Sequence, residues 1–238
     1  MDIKKLIEII EPRVSDKNIS KDFTSDDDKK IQQSLQKREL GSGNYSSVAP
    51  DRGDSHMVKK TSYGYLDSDR EDPYWLYVNH IIKNKLWENP YFPRIYKQRN
   101  VKDSSGHVVK RAQMEKLEPV SVLSDEELKA LFHKVLGISD YDKWAKRTDN
   151  IDKNVKDVVI NTILDITEDV IKTGSYKTFA TFAIDESDID DNFKRALNIL
   201  YNLSKTDNIF MGLDLYEDNV MVRRGKYGSQ LVFTDIFA

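Results

Sequence analysis

The chain has 238 residues, 39% hydrophobic and 32% charged, with a formal net charge of −3. That length can bury one two-lobed core or two small ones, and the near-neutral balance offers no basic excess for a nucleic-acid or anionic-membrane partner. The absence of cysteine excludes disulfides, thiol catalysis and Cys-ligated zinc, and no apolar run approaches the roughly 18 to 20 residues that cross a bilayer.

The first stretch, MDIKKLIEII, is charged and amphipathic, lacks the apolar centre of a signal peptide and predicts a short helix over 2–11. A polar run over 14–30, with Asp26, Asp27 and Asp28, reads as a linker, and 28–38 as a second helix. The texture changes at Glu39. Residues 39–49 read as strand, glycine turn and strand, and Met57–Thr61 as another strand. Trp75, Val78, Ile82 and Leu86 recur at helical spacing, which predicts a helix over 73–87 opened by Asp72-Pro73 and closed by Asn89-Pro90. Strands are expected at 92–99 and 108–117, joined by a turn through Asp103-Ser104-Ser105-Gly106.

After Glu118-Pro119 the pattern turns helical. Ser124-Asp125-Glu126-Glu127 is a capping box for a helix to about Leu136, with Gly137 as its stop. Val155, Val159, Ile163, Ile166 and Val170 form one stripe of a helix over 151–172. Phe193, Ala196, Leu197, Leu200 and Tyr201 form another over 188–204. The chain returns to strands at 220–223 and 231–234, around a turn through Gly225 and Gly228. No internal repeat is evident. The order implies an α+β architecture: an N-terminal extension (1–38), a strand-rich region (39–117), and a helical region with a closing hairpin (118–238).

Three segments carry chemistry. In Leu40-Gly41-Ser42-Gly43-Asn44-Tyr45-Ser46-Ser47-Val48, the glycines let backbone N–H groups approach phosphate oxygens because no Cβ intervenes, and Tyr45 can cover the loop. A plain hairpin turn explains the same residues. In Met57-Val58-Lys59-Lys60, a lysine pointing inward from the strand can neutralise phosphates, and alternation allows only one of the pair to do so. Lys59, which follows two apolar residues, is the expected one. The third segment is Asp214-Leu215-Tyr216-Glu217-Asp218-Asn219, then a hairpin, then Thr234-Asp235. Phosphoryl transfer needs one carboxylate beside the attacking hydroxyl, and an amide oxygen and a second carboxylate holding Mg²⁺ on the phosphates. The hairpin brings Asn219 and Asp235 to one end of the paired strands.

In this order the three segments resemble the protein-kinase superfamily, and within it the early host-takeover serine/threonine kinases of short-tailed bacteriophages. The resemblance covers residues 39–238 and rests on the L-G-x-G-x-x-S loop, a V-x-K-like strand, D-x4-N-V-M without a preceding His-Arg, and the terminal Thr234-Asp235. It implies a two-lobed fold with a small antiparallel sheet and a helical lobe, and a Mg–ATP-dependent serine/threonine protein kinase. Asp214 and Lys59 would be catalytic, and Asn219 and Asp235 would bind Mg²⁺. Gly41, Ser42, Gly43, Asn44, Tyr45, Val48 and Lys59 would hold the nucleotide, with Met114 as gatekeeper and Glu115 to Leu117 beside adenine. Host proteins in the host cytoplasm would be the partners, with neither nucleic acid nor membrane, and the oligomeric state stays open.

The pattern departs from the family at Ser46, at Gly212-Leu213 and at Ile236-Phe237. The helix over 73–87 carries no glutamate to pair with the lysine, so Glu71 or Asp72 would have to substitute. The chain ends three residues past Asp235, which implies a fold without an activation segment. His56, His80, His107 and His133 show no metal-ligand spacing. Two other functions fit the residues: a small-molecule phosphotransferase resembling antibiotic kinases, and a pseudokinase that acts by binding a partner.

Overall fold

A computed structural model describes residues 41–42, 46–51, 53–62, 73–102, 106, 108–205, 213–226 and 228–237, all within one unit, Arg38–Ala238. The expectations for 2–38, for the loop tip Gly43, Asn44 and Tyr45, and for Glu71 and Asp72 fall outside these residues.

Strands β1 (Gly41–Ser42), β2 (Ser46–Pro50), β3 (Met57–Ser62), β4 (Ile95–Lys102) and β5 (Val108–Glu115) form one antiparallel sheet in the order β1-β2-β3-β5-β4. Directly paired residues share a face, and the register sets Val48 opposite Lys60 and Val58 opposite Met114. Helix α1 (Pro73–Asn84) connects β3 to β4 and buries Tyr74, Trp75, Tyr77, Val78 and Ile81. It stops three residues short of the expected end because Lys85 takes a left-handed conformation, φ 52°, and a 3-10 turn follows over Leu86–Glu88. The β4 strand begins at Ile95 rather than 92, since Pro93 has no N–H for a ladder. The β5 strand ends at Glu115 because the next amide, Lys116, donates to the His56 carbonyl at 2.8 Å.

The chain then makes a two-residue strand, β6 (Glu118–Pro119), that pairs with the closing hairpin of β7 (Val220–Gly225) and β8 (Gly228–Phe233). Helix α2 (Asp125–Leu136) has the expected capping box: the Glu127 amide donates to the Ser124 hydroxyl oxygen, and the Ser124 amide donates to the Glu127 carboxylate. It ends at Gly137, φ 71°, where a Cβ would lie 2.4 Å from Cβ of Asp188, so only glycine closes that turn. A short helix, α3 (Tyr141–Arg147), was not legible in the sequence; Asp140 caps it, and its Trp144 packs 4.8 Å from Phe132. The long helix α4 (Val155–Thr173), capped by Asn154, a one-turn helix α5 (Thr178–Thr181), and α6 (Asp191–Ser204), capped by Asp190, complete the helical part.

Val159, Ile163, Ile166 and Val170 of α4 are buried, as their stripe predicts, each burial stabilising by about 1.5–3 kcal/mol. The α4 helix packs on α2 and α6, and β8 packs on α2. The architecture is thus α+β, a small antiparallel sheet followed by a helical part and a closing hairpin. No described helix is long and apolar enough to cross a membrane.

Candidate active site

The closing hairpin organises the site. Its two strands pair from Val220 with Phe233 outward, which brings Asn219 beside Thr234. The Asn219 carbonyl accepts from both the amide of Thr234 (3.0 Å) and its hydroxyl (2.9 Å). Just upstream, Leu213 bridges Phe237, and the Asp214 amide donates to the Ile236 carbonyl at 3.0 Å. Asp214 is therefore tied by its main chain to the residue that follows Asp235. The Asn219 amide nitrogen donates to the Asp214 carbonyl at 2.7 Å and to Asp214 Oδ2 at 2.8 Å. These contacts set Asp214 and Asn219 side by side, next to the chain segment that carries Asp235.

The lysine expectation is corrected. Lys60, not Lys59, reaches the hairpin, its ammonium 2.5 Å from Asp235 Oδ2. Lys59 lies on the opposite sheet face and pairs with Asp51 at 3.0 Å. The reason is the two-residue period of a strand. Val58 is buried on the face that carries Met114, so its i+2 neighbour Lys60 shares that face and Lys59 cannot. Asp51 also accepts from the Gly53 amide at 2.9 Å and from Gln113 at 2.5 Å. Burial pushes its carboxyl up, but the Gly53 N–H, Lys59 and Gln113 together hold it below the usual aspartate value.

Helix α1 supplies two tyrosines to this face. The Lys60 ammonium lies 3.8 Å from the centre of the Tyr74 ring. One turn on, the Tyr77 hydroxyl donates to the Phe233 carbonyl at 2.7 Å, and its ring meets Phe237 edge-on at 5.8 Å. Burial, with Tyr74 and Asp235 nearby, raises the Tyr77 phenol well above its usual value, so it stays a hydroxyl donor. Neither tyrosine belongs to the Trp75, Val78, Ile82, Leu86 stripe that predicts the helix, and the sequence gives neither a functional role.

Lys60, Tyr74 and Asp235 border a recess of about 470 Å³ whose lining also includes Val48, Val58, Met114 and Leu117. Met114 is buried with its sulfur 3.9 Å from the Tyr74 hydroxyl. Glu115 also borders the recess, but its carboxylate is committed elsewhere: it accepts from Arg223 Nε at 2.7 Å, from Arg223 Nη2, and from the Arg94 amide at 2.8 Å. Its own amide donates to the Arg94 carbonyl at 3.0 Å. Glu115 and Arg223 thereby join the end of β5 to β7. Of the glycine loop, Gly41 and Ser42 pair with Val48 and Ser47 as the strand-turn-strand reading requires, and Val48 lines the recess.

The donor set suits a hard cation. With Asn219 Nδ2 bonded to Asp214, Oδ1 is the free acceptor of that amide among the described residues, and Asp235 adds a carboxylate. Two oxygen donors of this kind fit Mg²⁺, which takes few protein ligands and keeps the rest from phosphates and water. Among the described residues no three His, Cys, Asp or Glu side chains cluster as a self-sufficient metal site.

Compared with protein-family models and with curated proteins, the chain matches none. Among solved structures it is similar to the GDP and kanamycin complex of APH(2")-IIia, at 14% identity and a TM-score of 0.31, over 84% of this chain and 67% of that one.

Proposed function

We propose that the chain is a Mg–ATP-dependent phosphotransferase whose acceptors are serine and threonine hydroxyls of proteins. The observation that carries the reading is the meeting of Lys60 with Asp235 at 2.5 Å beside the Asp214–Asn219 pair. It sets an ammonium, a carboxylate and an amide on the border of an apolar-walled recess, with the Asp214 carboxylate bonded to that amide. Val48, Val58, Met114 and Leu117 offer the base an apolar slot, and Lys60 faces the phosphates. Asn219 and Asp235 would hold a Mg²⁺, which would supply neutralisation of the phosphate charge. Asp214 orients the acceptor hydroxyl and takes its proton as the new oxygen–phosphorus bond forms. The bond from the γ-phosphorus to its bridging oxygen breaks, and ADP leaves with that electron pair.

The protein acceptor, and a host-cell setting, are supported by the resemblance of the glycine loop and the D-x4-N-V-M segment to phage serine/threonine kinases. The test is labelling with γ-radiolabelled ATP and Mg²⁺ against a bacterial lysate and against polyhydroxylated small molecules. Phosphoserine or phosphothreonine in protein, reduced at least about a hundredfold by Asp214→Ala, is the expected result. Transfer to small molecules alone would overturn the protein acceptor. No transfer, together with no shift in melting on adding Mg–ATP, would overturn the enzyme and leave a partner-binding protein.

A further inference from the structure

We infer that Tyr74 positions Lys60 by presenting its ring face to the ammonium, the task that the helix glutamate performs in the protein-kinase pattern. Within Pro73–Asn84 there is no acidic residue, yet the strand lysine is held. Its ammonium sits 3.8 Å from the Tyr74 ring centre and 2.5 Å from Asp235. Tyr74 is itself only 6% exposed. Its ring is fixed from the side by Trp75, edge-on at 5.0 Å, and at its tip by the hydroxyl contact with the Met114 sulfur. A rotating or solvent-facing ring could not orient a cation; this one is clamped between the helix and β5.

Burial strengthens the attraction, because a cation over an aromatic face gains more where water is excluded. Lys60 has only 12% of its side chain exposed. The neutral ring adds no second counter-ion to the one that Asp235 already supplies. A glutamate would form a second full ion pair that incoming phosphates must compete with, whereas the quadrupole of the ring steers Lys60 without adding charge. Helix α1 is held at the required height by Tyr77, three residues further on and on the same face, through its bond to the Phe233 carbonyl and its contact with Phe237. The catalytic meaning of this arrangement rests on the phosphotransfer reading above; the hold on Lys60 does not.

The test uses the full chain with Tyr74→Phe, Tyr74→Leu, Tyr74→Glu, and phenylalanines bearing one, two and three ring fluorines at position 74. Three quantities are read: the chemical shift of the Lys60 ε-methylene, assigned with Lys60→Arg; kcat/KM for ATP; and the melting temperature. The ring current of Tyr74 should move the ε-methylene upfield in the wild type and in Tyr74→Phe, but not in Tyr74→Leu. Catalytic efficiency should stay within about threefold in Tyr74→Phe and fall by roughly tenfold or more in Tyr74→Leu. It should recover in Tyr74→Glu, and decline with each added fluorine while the melting temperature holds. A packing role would leave the fluorine series flat, and that result overturns the inference, as does an unshifted ε-methylene in the wild type. If Tyr74→Leu does not fold, the fluorine series decides. If the wild type transfers no phosphoryl group, the proposed function falls, and the ε-methylene shift alone upholds or overturns the hold of Tyr74 on Lys60.

Discussion

Lys60 and Asp235 stand 175 positions apart and meet at 2.5 Å, so one partly buried ion pair joins the third strand of the sheet to the end of the closing hairpin. The neighbouring lysine, Lys59, is turned away from the same contact by a single step of the strand.

That geometry separates the two lysines experimentally. Lys60→Met removes the ammonium from the recess and should lower phosphoryl transfer by about a hundredfold or more, in the range of other electrostatic groups that face developing charge. Lys59→Met should leave kcat/KM within about threefold. It should lower the melting temperature, because Asp51 loses an ion-pair partner while still buried, a loss of about 1–3 kcal/mol. Parallel kinetics and thermal melts on the two variants check this. Inactivity of the Lys59 variant with activity of the Lys60 variant would show that the face assignment is inverted.

The same aspartate gives a pH dependence. Its folded-state carboxyl is held below the usual value, so on acidification the unfolded chain takes up the proton first. The stabilisation is complete above about pH 3.9, the unperturbed aspartate value, and is lost as pH falls through the lower folded value. Melting of the wild type should steepen in its fall below about pH 4, and Asp51→Asn should flatten that part of the curve. An unchanged slope in the variant would remove Asp51 from the acid response.

Local signals carried most of the fold. Ser124, Glu127 and Gly137 marked the ends of α2, because caps are satisfied within a few residues of chain. The β7–β8 hairpin followed from its turn glycines. What the sequence hid was set by contacts between distant segments. The choice between Lys59 and Lys60 lies in the strand period, since Val58 and Lys60 must share a face. Tyr74 gave no signal, because an aromatic on an amphipathic helix reads as core until the lysine above it is placed. Glu115 read as a residue beside the base, although its side chain is turned to Arg223, 108 positions away. The short strand at Glu118–Pro119 exists only because Val222 and Met221 are there to pair with it.

The Glu115–Arg223 pair should behave as a lock between β5 and β7. Arg223 also donates to the carbonyls of Pro90 (2.9 Å) and Phe92 (3.1 Å), so with both Glu115 oxygens it satisfies four acceptor atoms at once. Arg223→Met strands a carboxylate with 9% of its side chain exposed and should cost about 3–5 kcal/mol. Glu115→Gln keeps a neutral acceptor for the Arg94 amide and should cost less. The pair Glu115→Leu with Arg223→Met should recover part of the single loss, because neither charge is then left alone in a low-dielectric setting. Denaturant unfolding of the singles and the double closes the cycle, and strict additivity would mean the two side chains do not act as a unit.

Asn219 divides its work between main chain and side chain, and a substitution can separate the two. Its carbonyl receives the amide and hydroxyl of Thr234, contacts that survive any change of side chain. Its amide group alone reaches Asp214 and leaves Oδ1 as an acceptor. Asn219→Ala should therefore keep the hairpin docked, with a stability loss of about 1–3 kcal/mol from the unmet Asp214 acceptors. It should raise the Mg²⁺ concentration for half-maximal activity by roughly tenfold or more, as expected when one of two protein oxygen ligands is removed. Thr234→Val should do the reverse, loosening the hairpin by about 1 kcal/mol while leaving the Mg²⁺ requirement in place. Magnesium titrations of activity and thermal melts on both variants distinguish the cases. A Mg²⁺ requirement unmoved by Asn219→Ala would remove Asn219 from the metal site and leave it as a support for Asp214.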